Sequence, residues 1–236
     1  MNILAKPLLV VMMAVFLTAP FSADIYAQEY KYEAGGAVGI SSYMGDANKT
    51  RYMDHPGFAA GLLFRYNINF HWALKTNLLV GRISGDTRDS GNIFPSGQPE
   101  SFRRTFTEAA TQAELNFLPY SDKYRYMGTK PYTPYLFVGA GITYAPGEFE
   151  YIGMNMPFGV GFKFKLKNRL NIAIECSMRK LFGDDFDVAQ KKTQTWSLEQ
   201  PYGIGSSLLK NRDWYSVTMI CLTWDFGLRE DPCHGN

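Results

Sequence analysis

The stretch VGFKFKLKNRLNIAIECSM, residues 160–178, alternates apolar and polar side chains on both sides of a short polar break at Asn168. Before the break, Phe162, Phe164 and Leu166 alternate with lysines, and after it apolar side chains alternate with Asn, Ala and Glu. Successive side chains of a β-strand point to opposite faces. The stretch therefore predicts a hairpin with one apolar and one polar face, and the function depends on which face meets water.

The composition favours a β-rich protein. The chain has 236 residues, enough for one large β domain or two small ones, and 15% of them are aromatic. The formal net charge is only +2 and no basic run occurs, so nothing in the sequence indicates a nucleic-acid partner. Beyond the N-terminus no apolar run reaches the length of a transmembrane helix, which argues against a helical membrane protein.

The N-terminus predicts a secretory signal peptide over residues 1–27. It contains one lysine, an apolar run over residues 8–17 and small residues around Ala23 and Ala27, the expected cleavage point. The apolar run is too short to span a bilayer comfortably, which argues against a membrane anchor.

Period-2 alternation along the mature chain predicts eight strands. Their approximate ranges are 30–43, 57–67, 71–84, 101–117, 132–144, the two arms of the hairpin around Asn168, and 214–226. In the last strand the alternation is ambiguous, and a β-bulge would account for it. Tight turns are expected after strands two and six, a longer link over residues 118–131 after strand four, and long polar loops after strands one, three, five and seven.

Short turns at one end and long loops at the other are typical of outer-membrane barrels. The predicted fold is therefore all-β, an eight-stranded antiparallel up-and-down transmembrane β-barrel over residues 28–227, followed by a periplasmic tail over residues 228–236. Aromatic residues near the strand ends predict an interfacial girdle at the short-turn end. They are Tyr30, Tyr32, Tyr66, Trp72, Phe117, Tyr120, Trp224 and Phe226.

With the apolar face outward, the polar face places charges inside the barrel. The predicted ion network consists of Glu33, Arg65, Lys75, Glu108, Glu114, Lys163, Lys165, Glu175 and Arg179. An eight-stranded barrel is only wide enough for side chains to fill it, and buried charges need partners of opposite sign. This predicts a filled interior and no pore. A soluble lipocalin-like barrel, with an apolar cavity inside and the lysines outside, remains the alternative.

The sequence indicates no catalytic, metal or cofactor site and no small-molecule substrate. None of His55, His71 and His234 lies in the middle of a predicted strand near a serine or a carboxylate. The acidic stretches SGDTRD (residues 84–89) and GDDFD (residues 183–187) lack the full spacing of calcium ligands. Three cysteines without a CxxC spacing argue against a disulfide scaffold, although one bridge between Cys176 and Cys221 stays open.

Six segments of the mature chain, in their order and spacing, resemble the PorG-type outer-membrane barrels of the type IX secretion system of Bacteroidetes. They are ISSYMGD (40–46), RYNINFHWALKTNLLVGRISGDT (65–87), AELNFLPY (113–120), PYTPYLFVGAGI (131–142), KLFGDDFDV (180–188) and NRDWY (211–215). The resemblance covers nearly all of the mature chain. It implies a small, non-enzymatic barrel attached to the periplasmic ring that PorK and PorN form, in a machine that exports proteins with a C-terminal signal domain.

The expected partners are therefore membrane lipid and the ring proteins PorK and PorN. Up-and-down topology with both termini inside places the tail and the 118–131 link in the periplasm, where Arg229, Glu230 and Asp231 are predicted to contact the ring. A solvated tail is the alternative. The rival functions are a surface adhesin that binds through the long loops and, third, a membrane-embedded lipid enzyme.

Overall fold

Eight antiparallel strands form a closed barrel in the computed structural model, which describes residues 30–44, 56–86, 101–122, 128–147, 150–167, 169–182 and 214–228. The strands are β1 (Tyr30–Met44), β2 (Gly57–Asn67), β3 (Trp72–Asp86), β4 (Ser101–Asn116), β5 (Tyr132–Ala145), β6 (Tyr151–Lys167), β7 (Leu170–Leu181) and β8 (Trp214–Leu228). Each strand pairs with its neighbours in sequence, and β1 also pairs with β8, so the sheet has no free edge. The predicted fold class is confirmed.

The predicted tight turns close the end of the barrel that we call the short-turn end. Between β2 and β3, the Oδ1 of Asn69 accepts hydrogen bonds from the backbone N–H groups of His71 and Trp72, at 2.9 and 2.7 Å. An asparagine side chain that bonds backbone groups ahead of it stabilises a turn locally. The opposite end, where β1, β3, β5 and β7 finish, is the long-loop end.

The connection between β5 and β6 differs from the long loop that was predicted. Strand β6 already begins at Tyr151, so the connection is confined to residues 146–150. Pro157 explains the error. Proline lacks the backbone N–H that a strand donates to its neighbour, so a proline in the sequence argues against a strand. Here it pairs with Arg179 of β7, and β6 continues on both sides of it.

The β-bulge suggested for β8 is wrong. Strand β8 keeps one continuous register with both β1 and β7, and the register shift in this sheet lies between Lys165 and Lys167, beside the β6–β7 turn. The alternation of β8 is ambiguous for another reason. Its inward positions change from Val217 and Met219 to Thr223 and Asp225, because the strand passes from an apolar to a charged part of the interior.

Two aromatic rings inside the barrel lie across glycines on the neighbouring strand. Tyr135 and Phe137 of β5 pair with Gly161 and Gly159 of β6. A Cβ atom at Gly161 would lie 2.4 Å from the ring of Tyr135, and one at Gly159 would lie 2.8 Å from the ring of Phe137. Glycine is therefore needed at both positions, because a larger residue there would overlap with the aromatic ring.

We expect Gly161→Ala to lower the free energy of unfolding by about 1–3 kcal/mol, because the new methyl group forces the buried Tyr135 ring to move. Gly36→Ala is the matched control, since its Cβ would meet only the Gly61 carbonyl oxygen at 3.7 Å. Urea unfolding of the two variants in lipid vesicles measures the difference. Equal stability of the two would contradict the packing account.

Candidate functional site: the barrel interior and its lipid-facing wall

Arg65 is the centre of the charged interior at the short-turn end. Its side chain is fully buried and pairs with Glu33 of β1. Its Nε lies 2.8 Å from Oε2 of Glu114, and a terminal guanidinium nitrogen donates to Oε1 of the same residue at 3.1 Å. One guanidinium thus joins carboxylates of β1 and β4, with one hydrogen bond to Glu114 and an ion-pair contact from Nε to the same residue.

Two lysines extend this network around the wall. The Nζ of Lys75 donates to both carboxylate oxygens of Glu175, at 2.7 and 2.8 Å. The Nζ of Lys163 donates to Glu114 at 3.0 Å, and the hydroxyl of Tyr135 donates to Glu175 at 2.6 Å. These bonds connect β3, β4, β5, β6 and β7 across the interior.

A second charged pair lies nearer to the long-loop end. Arg179 of β7 donates from Nε to Oε2 of Glu108 of β4 at 2.9 Å. Asn77 donates to the other oxygen of Glu108 at 3.2 Å, and the Tyr215 hydroxyl also donates to Glu108. A cavity of about 20 Å³ lies between this pair and Lys75–Glu175, with room for about one water molecule.

The described parts of the 118–131 link, residues 118–122 and 128–131, fold back against the base of the barrel. Tyr120 of this link is fully buried, donates its hydroxyl to Asn171 at 3.2 Å, and lies with its ring 5.2 and 5.1 Å from the Nζ atoms of Lys163 and Lys165. Burial raises the pKa of Tyr120 well above its ordinary value. The prediction that Tyr120 belongs to the lipid-facing girdle is therefore wrong, because the link turns the ring inward to cover the two lysines.

All nine residues of the predicted ion network point into the interior. The sequence analysis missed two further charges there, Asp225 and Arg104. Asp225 pairs with Lys165 and accepts a hydrogen bond from Asn171 at 2.6 Å, and Arg104 donates to the Ala145 carbonyl at 2.8 Å. The sequence signal for Asp225 was its position between Trp224 and Phe226, two residues of the predicted outer girdle. The β1–β8 register places it directly opposite Glu33.

An apolar cluster occupies much of the interior towards the long-loop end, and the sequence analysis, which described the lumen as an ion network, did not predict it. Its buried side chains include Tyr43, Ile83, Phe106, Leu181 and Val217. The rings of Phe106 and Tyr215 lie 4.8 Å apart. Ionic, aromatic and aliphatic groups therefore fill the described part of the lumen, as expected for a barrel of eight strands.

The outer wall is apolar over the middle of the strands. Exposed side chains there include Leu62, Leu78, Ile142, Val160, Ile174 and Ile220. At the short-turn end, the ring of Tyr32 lies 5.8, 5.6 and 5.5 Å from those of Phe64, Tyr66 and Phe226. The barrel has an apolar band outside, with aromatic residues at its border, and charges inside. A lipocalin has the opposite arrangement, with its apolar face inside, so this barrel is a transmembrane protein of the outer membrane.

The structure shows where two cysteines and one histidine of the sequence analysis lie, whereas other residues named there fall outside the described part of the chain. Cys176 is exposed on the wall and Cys221 is buried inside; both are free, and their opposite faces exclude the bridge that was left open. His71 is exposed, with Nδ1 2.9 Å from the Asn116 carbonyl oxygen. Outside the described residues lie the signal peptide, the acidic stretch 183–187 with residues 87–89 of the other, and Arg229, Glu230, Asp231, Cys233, His55 and His234.

Neither a spanning helix nor a metal site is found in the part of the chain that the structure describes. None of its segments is a helix long and apolar enough to cross a membrane. No three His, Cys, Asp or Glu side chains within it are grouped to hold a metal ion.

Three solved outer-membrane proteins are similar in fold to this chain. Ail, the attachment invasion locus protein of Yersinia pestis, is 12% identical with a TM-score of 0.45, and the likeness covers 83% of this chain and 99% of Ail. Neisserial surface protein A is 11% identical with a TM-score of 0.48, over 83% and 97%. OprG of Pseudomonas aeruginosa is 12% identical with a TM-score of 0.43, over 85% and 98%.

These low similarities add nothing to the topology, which rests on the strand register of the chain itself. No curated protein matches the sequence. Residues 6–236 match a family described as a domain of unknown function, DUF6089. The chain belongs to the DUF6089 family.

Proposed function

We propose that this barrel is a non-enzymatic outer-membrane component of the type IX protein secretion system, which anchors or stabilises the periplasmic ring of PorK and PorN at the outer membrane. The observation that supports this role best is the filled interior. Arg65 and Lys163 are buried among carboxylates, and Tyr120 covers the short-turn end from within. A barrel filled in this way suits a membrane anchor better than a conduit, because a conduit needs an open lumen.

The periplasmic contact would lie at the short-turn end. Strand β8 ends there at Leu228, immediately before Arg229, Glu230 and Asp231. The 118–131 link lies at the same end, and its backbone is attached to the barrel where Tyr120 N–H donates to the Phe70 carbonyl at 3.3 Å. The attached residues of this link would offer a ring protein a surface, and the tail would offer charges for orientation.

The test is affinity purification from detergent-solubilised outer membranes, with a tag inserted near Thr193 and mass spectrometry of the proteins recovered. We expect ring subunits in near-stoichiometric amounts with the full chain. Neutralising the tail as Arg229→Gln, Glu230→Gln and Asp231→Asn should reduce their recovery about tenfold, equivalent to ~1.4 kcal/mol of contact energy. Equal recovery of ring subunits with the neutralised tail would refute the contact through the tail, but not the anchor role.

A control and a second outcome separate the anchor from its rival. Lys130→Gln changes an exposed charge in the 118–131 link, and its comparison with the tail variant tells which segment carries the contact. If the full chain is recovered without any ring subunit from an intact envelope, the anchor proposal fails. A surface adhesin that uses the long loops would then be the function to test.

A further inference from the structure

The outer wall at the long-loop end has two exposed arginines on neighbouring strands. Arg82 of β3 and Arg103 of β4 both point away from the interior, which their neighbours Ile83 and Arg104 enter. Neither guanidinium forms an ion pair within the part of the chain that the structure describes. Two arginines exposed on the wall of a membrane barrel can bind an anionic group from outside the chain.

The strand register places these arginines in one compact block. Arg82 pairs directly with Thr105, and Ser84 pairs directly with Arg103. Arg82 and Arg103 are thus diagonal neighbours, whose Cβ atoms lie about 7–8 Å apart in an antiparallel sheet. Two long side chains that start at this separation can converge on one group, and Thr105 provides an outward hydroxyl beside them.

The depth of the block places it at the level of lipid headgroups. Leu74 pairs with Tyr66 of the aromatic girdle at the short-turn end, and Arg82 lies eight residues further along β3 (82 − 74). At ~3.4 Å per residue and a strand tilt of about 40°, this corresponds to roughly 20 Å across the bilayer. The apolar band of such barrels is about 25 Å tall, so Arg82 lies near its outer border and Arg103 lies beyond.

Aromatic residues mark the same border on the strands nearby. Phe58 of β2, which pairs with Ile40, and Tyr144 of β5, which pairs with Thr107, are both exposed on the wall. Aromatic rings of transmembrane barrels gather at the membrane–water interface. The arginines therefore lie at or just beyond the aromatic level on the side of the long loops, which is the outer leaflet.

We infer that Arg82 and Arg103, with the Thr105 hydroxyl beside them, form a binding site for a phosphate group on the headgroup of an outer-leaflet glycolipid. Guanidinium groups match phosphate geometrically through paired N–H donors, and a hydroxyl adds a further donor. The acyl chains of the same lipid would lie along the apolar wall below, beside Val80 and Ile142. This inference does not depend on the proposed role in secretion.

The test compares lipids with and without phosphate on the purified full chain in detergent. The probes are bis-phosphorylated lipid A, its dephosphorylated form and inorganic phosphate, and native mass spectrometry measures the bound fraction. The phosphorylated form should bind about twentyfold more tightly than the dephosphorylated form. The double variant Arg82→Gln/Arg103→Gln should lose this preference.

Arg169→Gln is the matched control, because it removes an exposed arginine at the short-turn end and should leave the preference unchanged. The shift of unheated protein on electrophoresis checks that every variant is folded. Retention of the preference by the double variant, or equal binding of the two lipids to the unaltered chain, would overturn the inference. Displacement of the lipid by an equal concentration of inorganic phosphate would also overturn it, since the site would then be a simple anion site.

Discussion

Replacing Arg65 by methionine is expected to lower the free energy of unfolding by about 3–5 kcal/mol, because breaking a buried ion pair leaves an uncompensated charge. The substitution removes an ion-pair partner from two carboxylates at once. Glu33 and Glu114 are both fully buried and both pair with Arg65. Without the arginine, Glu114 keeps Lys163 and Lys75 at 3.0 and 3.5 Å. Glu33 keeps neutral hydrogen-bond donors such as Thr223, at 3.1 Å, which do not balance its charge.

Equilibrium unfolding in urea, with the barrel refolded into phospholipid vesicles and followed by tryptophan fluorescence, measures this loss. Arg169→Met is the matched control, since the same substitution at an exposed arginine should change stability by less than about 1 kcal/mol. Adding Glu33→Gln to Arg65→Met should recover part of the loss, because it removes the buried charge whose ion pair was with Arg65. A single variant as stable as the control would show that the network does not hold the barrel together.

Leu78→Arg is expected to destabilise the membrane-inserted barrel by about 2–4 kcal/mol, the cost of a lipid-facing arginine near the bilayer midplane. Leu78 is 56% exposed on the wall and pairs with Leu62 and Ala109 in the middle of β3. The same substitution at Ile152, 70% exposed at the beginning of β6, should cost only about 0–1 kcal/mol, because the interface tolerates charge.

The difference in stability between the two variants shows whether the outer wall faces lipid or water. Measured in the same vesicles, a large cost at Leu78 and a small cost at Ile152 are expected of a wall in lipid. If both arginines were harmless, the wall would have to face water. The apolar surface of the barrel would then need a protein partner to cover it, and the lipid-binding block at Arg82 and Arg103 would lose its basis.

Most of the fold could be predicted because its signals are local. Alternation along each strand assigns side chains to two faces, and Asn69 stabilises its turn through the next few residues. The predictions failed where a local signal was misleading. Pro157 made β6 look shorter than it is, and the mixed inward face of β8 resembled a bulge.

The candidate site was predictable as a set of residues but not as a set of contacts. The alternation identified nine charges inside the barrel, yet Lys75 pairs with Glu175, 100 residues away along the chain. Such pairing depends on the register and on the closure of β1 against β8, which no local pattern encodes. The same is true of Tyr120, whose ring covers Lys163 and Lys165 only because the 118–131 link folds back.

The sequence by itself determined that this chain is a barrel of eight alternating strands, with apolar residues on one face and charges on the other, because strand periodicity and turn chemistry act over a few residues. Only the tertiary structure decided which carboxylate meets which cation, that an apolar cluster forms towards the long-loop end, and that Arg82 and Arg103 become neighbours on the wall. Those facts depend on which residues of different strands lie opposite each other, and closure of the barrel sets that alignment.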